Sequence, residues 1–124
     1  MTTIKSYTDI EQSKKLAEIL PLESADMGYD GIEDRDSRII RYTRIATTMP
    51  NMNSIPCWSL AALLSVLQKT AYFIDEDANV VLCSYKTVEW DLGINNSDVE
   101  STTKTNPVDA CYEMIVKLHE QKIL

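Results

Sequence analysis

Residues 54–89 constrain this chain more than any other stretch, because they hold its densest apolar content and a change in its apolar spacing. Ser54-Ile-Pro-Cys-Trp-Ser-Leu-Ala-Ala-Leu-Leu-Ser-Val-Leu-Gln-Lys69 reads as a helix. Ser54 is the expected N-cap, with Pro56 in the first turn, where its missing N–H costs nothing. Trp58, Leu60, Ala61, Ala62, Leu63, Leu64, Val66 and Leu67 run nearly all round the cylinder, so neighbours must cover the helix on several sides. A hairpin is expected next. Its first strand is 70–75, including Ala71-Tyr-Phe-Ile74; its turn is 76–79; its second strand is 80–86, starting Val80-Val-Leu-Cys83.

With 124 residues, 44% of them hydrophobic, the chain suits one domain spanning 1–124, large enough to bury a core without staples. No apolar run reaches the roughly 18 to 20 residues that span a bilayer, so no membrane partner is expected. The first residues lack the charged-then-apolar order of a secretion signal. Cys57, Cys83 and Cys111 lie far apart in apolar surroundings. An odd count with no regular framework predicts reduced, buried thiols and a cytoplasmic setting.

The net charge of −7 disfavours a sequence-independent grip on nucleic acid or on an anionic membrane, since both begin with a positive surface. Charge is unevenly spread, however. Glu23, Asp26, Asp30, Glu33, Asp34 and Asp36 fall in one short run, and Arg38, Arg41 and Arg44 follow with no acid until Asp75.

Taken in order, Thr8-Asp-Ile-Glu11 has the form of a capping box, and a helix from Asp9 to Leu20 should follow until Pro21 ends it. Residues 22–36, with Gly28, Gly31 and the acids, read as an exposed loop. From 38 to 48 the β-branched and aromatic residues favour a strand; arginines recurring every three residues leave a helix as the alternative. Residues 92–105 read as a loop. The last helix has the plainest start signal: Asn106 as N-cap, Pro107 at the first position, Asp109 in the first turn. Val108, Cys111, Tyr112, Ile115 and Leu118 recur on one face, and Glu113 and Lys117 should pair on the other.

The segments Ile55-Pro-Cys-Trp-Ser-Leu-Ala-Ala-Leu-Leu and Asn106-Pro-Val-Asp-Ala-Cys-Tyr-Glu-Met-Ile, with a strand hairpin between them, resemble short uncharacterised proteins of gut bacteria and their mobile elements. The resemblance covers the second half of the chain. It implies a fold and a bacterial or phage cytoplasm, and brings no catalytic residue with it.

Little in the sequence points to covalent or metal chemistry. His119 is the single histidine, and it stands eight residues from Cys111, about 12 Å along a helix, too far to share one zinc. Cys57 near a helix start and His119 could form a nucleophilic pair, but Glu120, Gln121 and Lys122 mark His119 as solvated. Asp30, Asp34 and Asp36 lack the spacing of a calcium loop. Arg35, Arg38, Arg41 and Arg44, with Tyr42 among them, could meet phosphates or an acidic partner, or simply answer the acids before them through surface ion pairs.

The expectation is therefore an α+β fold, a small antiparallel sheet of about three strands with helices packed on one face. No catalytic residue and no metal or other cofactor is expected. The function expected is a non-enzymatic protein–protein interaction or regulatory module, with Arg38, Arg41, Tyr42 and Arg44 as partner-binding candidates and a protein partner or a homo-oligomer as the partner. The alternatives are a nucleic-acid-associated protein using the Arg35–Arg44 segment, or an enzyme.

Overall fold

Helix and strand alternate unevenly along the chain. The computed structural model describes residues 5–33, 40–46, 55–85 and 89–124, with the backbone alone at 30–33, 40–46 and 85. In order, the elements are α1 (Ile10–Ile19), β1 (Met27–Glu33), β2 (Ile40–Ala46), β3 (Ile55–Cys57), α2 (Leu60–Ile74), β4 (Asn79–Tyr85), β5 (Glu89–Asn95), β6 (Thr102–Lys104) and α3 (Pro107–Glu120). The fold is α+β, as expected. Among the described residues the strands form two antiparallel three-stranded sheets, ordered β2-β1-β3 and β4-β5-β6.

The second sheet carries α2 and α3 on one face. Leu92 and Ile94 of β5 point into the core, while Cys83, Thr103 and Asn95 on the opposite face are exposed. The shared core is Leu16 from α1 and Leu20 just after it, Leu63, Leu67 and Ala71 from α2, and Val108, Cys111, Met114, Ile115 and Leu118 from α3, closed by Trp58. Fully burying a side chain of this size contributes about 1.5–3 kcal/mol, so this cluster dominates the stability.

Helix starts and stops follow local chemistry, sometimes one step from the expected residue. At α1 the capping box is Asp9 with Gln12, not Thr8 with Glu11: Gln12 N–H donates to Asp9 Oδ1 at 2.8 Å and Asp9 N–H donates to Gln12 Oε1 at 3.2 Å. Pro21 ends this helix as expected, with Leu20 extended at ψ 149. At α3, Asn106 Oδ1 accepts the Val108 N–H at 2.9 Å and Pro107 takes the first position. Lys117 does not pair with Glu113; it reaches Glu100, Nζ to Oε2 at 3.7 Å and Nζ to the carbonyl at 3.1 Å.

Further expectations are corrected. The central helix begins at Leu60, capped by Ser59, whose Oγ accepts the Ala62 N–H at 3.2 Å. Ile55, Pro56 and Cys57 are instead β3, paired with Met27, Gly28 and Tyr29 at a sheet edge, where proline has no ladder bond to lose. Residues 70–74 continue α2 rather than start a strand: Leu63, Leu67, Thr70 and Ala71 are buried at helical spacing, and that packing overrides the β propensity of Tyr72, Phe73 and Ile74. The hairpin is thus β4 with β5, Leu82 opposite Leu92. Another correction is residues 22–36, where Met27–Glu33 forms β1. The expected 92–105 loop is likewise shortened by β5 and β6.

Candidate functional site

Cys57 does not sit at a helix start. It ends β3 in a closed knot of hydroxyls with Thr8, Ser13 and Tyr29. Thr8 Oγ1 lies 2.8 Å from Ser13 Oγ and accepts the Trp58 N–H at 3.2 Å; the Tyr29 hydroxyl donates to the Thr8 carbonyl at 2.6 Å, and the Cys57 thiol donates to the same oxygen at 3.4 Å. Burial pushes the Cys57 thiol up, only partly offset by hydrogen bonds from Thr8, Ser13 and Tyr29. A thiol held protonated is a poor nucleophile. His119 is exposed at the far end of α3, its Nδ1 3.1 Å from the Leu124 carbonyl. Among the described residues every buried side-chain polar atom has a partner, so the knot is self-contained.

A second polar group lies where the starts of α1 and α3 meet. Lys5, Asp9, Gln12, Lys104, Asp109, Tyr112 and Glu113 line a cleft of about 270 Å³. Lys5 Nζ is 2.7 Å from Asp109 Oδ1 and 3.3 Å from Asp9 Oδ2, and Gln12 Nε2 donates to Asp109 Oδ1 at 2.8 Å. Burial opposes the charge on Asp109, yet the hydrogen bonds from Lys5 and Gln12 outweigh it and hold the carboxyl below its ordinary range. These groups satisfy one another, and the cleft reads as a clamp between two helices.

The surface that stands out is apolar. Tyr72 is 60% exposed and Phe73 87%, side by side near the end of α2 with their rings edge to face at 6.4 Å. Two shallow clefts flank them. One, of about 400 Å³, is lined by Gln68, Lys69, Tyr72 and Phe73. The other, of about 370 Å³, runs from Phe73 past Val66 and Leu20 to Leu124, with Glu23 and Lys69 on its rim. Asp75, Glu76 and Asp77 follow directly and are exposed. Sequence reading missed this pair because it placed both aromatics in a strand; the helical spacing of Leu63, Leu67 and Ala71, extended by one turn, would have shown them off the buried stripe.

Of the residues expected to bind a partner, Arg41, Tyr42 and Arg44 take register positions on β2 opposite Ile32, Gly31 and Asp30 of β1, and Arg38 lies outside the described residues. Arg41 and Arg44 are therefore laid antiparallel to the strand that carries Asp30 and Glu33. Asp34 and Asp36 also lie outside the described residues, among which no three His, Cys, Asp or Glu side chains gather as a metal site. No described helix is long and apolar enough to cross a membrane. No protein-family model, curated protein or solved structure matches the chain.

Proposed function

We propose that this protein acts as a non-enzymatic interaction module that docks a protein segment on the end of α2. The observation carrying this reading is the exposed Tyr72–Phe73 pair on a helix whose other face is locked in the core. Large aromatics on rigid elements are the residues that anchor interfaces, because they bury much area with little loss of side-chain freedom. Glu23 shares a cleft with Phe73, and the exposed Asp75, Glu76 and Asp77 follow the pair in sequence, with Lys69 the single cation of α2, in a chain of net charge −7. The occupant with matching chemistry is an apolar segment bearing lysine or arginine at its rim. This reading goes with a bacterial or phage cytoplasm, the setting implied by the resemblance of the Ile55 and Asn106 segments.

Titrating the protein with a synthetic amphipathic leucine–lysine peptide, followed by amide chemical shifts, tests it. Shifts should concentrate at residues 66–77 and weaken severalfold in Phe73→Ser. Equal shifts in the wild type and in Phe73→Ser, or shifts spread evenly over the surface, would overturn the reading. A protein co-purified with the tagged chain counts only if Phe73→Ser loses it.

A further inference from the structure

The outer edge of β4 has one end closed and the other end open. Gln68 of α2 reaches the closed end: its Oε1 accepts the Val80 N–H at 3.0 Å and its Nε2 donates to the Ala78 carbonyl at 3.3 Å. The Val80 N–H therefore points away from β5. In an antiparallel strand of unbroken register, alternate residues share that direction, so Leu82 and Ser84 also direct their N–H and C=O outward. Among the described residues no strand lies on this side of β4, and no described hydrogen bond takes up those four groups.

Strand edges of this kind are usually blunted by charge, proline or brevity. β4 has none of these protections. Its seven residues, Asn79-Val-Val-Leu-Cys-Ser-Tyr85, carry no charge and no proline. For a chain of net charge −7, a neutral strand is the part that can approach a second copy with least repulsion.

We infer that two copies of this chain pair through β4, antiparallel about a two-fold axis at Cys83. Of the registers that use only described residues, this one exploits the open groups in full. Leu82 of one copy faces Ser84 of the other, and each such pair exchanges two hydrogen bonds, giving four in all. A register centred on Leu82 would set Val80 against Ser84 and need the Val80 N–H that Gln68 already holds. The chosen register makes the two Cys83 residues a directly opposed, non-hydrogen-bonded pair, with Cα atoms about 4.5 Å apart, inside the reach of a disulfide. Cys83 is exposed on the helix-free face of the sheet, whereas Cys57 and Cys111 are buried. The joined sheet would have six strands. This pairing goes beyond the α2 surface and does not need it.

Sedimentation of the reduced protein at micromolar concentration should show twice the monomer mass. Diamide should then link the dimer through Cys83: two thiols lose two protons and two electrons, and the azo bond is reduced to a hydrazine. Cys83→Ser should remain dimeric yet unlinked. Two variants remove the pairing itself. Ser84→Pro deletes an outward N–H at an edge position where proline is tolerated. Cys83→Lys sets two ammonium groups face to face across the axis, where like charges repel. Both should sediment as monomers with native circular dichroism, and if Ser84→Pro fails to fold, Cys83→Lys decides. A monomeric wild type, a dimer that survives Cys83→Lys, or a disulfide that forms in Cys83→Ser would overturn the inference. Phe73→Ser should leave the dimer intact, which separates this result from the peptide titration.

Discussion

Lys5 Nζ stands 2.7 Å from Asp109 Oδ1, so the segment before α1 is pinned to the first turn of the last helix, over a hundred residues later. Both side chains keep about a third of their surface in water. The pair therefore acts mainly through position, as a charge-assisted bond at a helix start, where a carboxylate also meets the helix dipole.

That bond has a pH signature. The Asp109 carboxyl is held below its ordinary value of 3.8, so the unfolded chain takes up its proton first on acidification. Stability from this group should be complete above that value and drain away as pH falls below it. Asp109→Asn should be less stable than wild type near neutrality, with the gap narrowing below pH 3.8. Urea titrations across the acid range measure it; a gap independent of pH would contradict it.

The Cys111 thiol moves in the opposite sense. Burial pushes it from 9.0 to about 12. The folded state keeps its proton while the unfolded chain loses it, so stability should fall by about 1.4 kcal/mol per pH unit through this window from this thiol alone. Cys111→Ala lacks that slope, so its deficit relative to wild type should shrink between pH 9 and 12 in denaturant unfolding.

Thiol reactivity should divide two to one. Cys83 is exposed while Cys57 and Cys111 are buried, which corrects the expectation of three buried thiols. Maleimide should label Cys83 in seconds to minutes and the other two only after unfolding, read by mass spectrometry of peptides. Rapid labelling of Cys57 would show its hydroxyl knot to be open.

At the last helix, Asn106→Ala should cost about 1 kcal/mol through loss of the bond to the Val108 N–H. Ile115→Ala, at a position with no exposed surface, should cost about 2–5 kcal/mol. Equal small losses in thermal or chemical unfolding would mean α3 is not docked as described.

What the sequence made legible was what local chemistry decides alone. Asn106-Pro107 and Pro21 marked helix ends correctly, and the apolar face of α3 was readable from its spacing. β1 was hidden because its strand character comes from pairing with β2 and β3, not from Gly28, Asp30, Gly31 and Glu33 themselves. Pro56 misled because the same residue suits a first helical turn and a sheet edge. The exposed aromatics were lost with the misread end of α2, and Gln68, a plain polar residue in the sequence, gave no sign that it would stand in for a strand.

The knot at Thr8 has a consequence for the order of folding. Thr8 exchanges backbone and side-chain bonds with Trp58, and α1 is closed by residues of α3. During synthesis α1 emerges well before β3, its main neighbour, and meets α3 only once the intervening sheets exist. Contacts so distant along the chain slow the search for the native state. The elements from α2 to α3 pack largely on one another, whereas α1 keeps part of its apolar stripe uncovered until α3 is made, so its final docking should come late in folding.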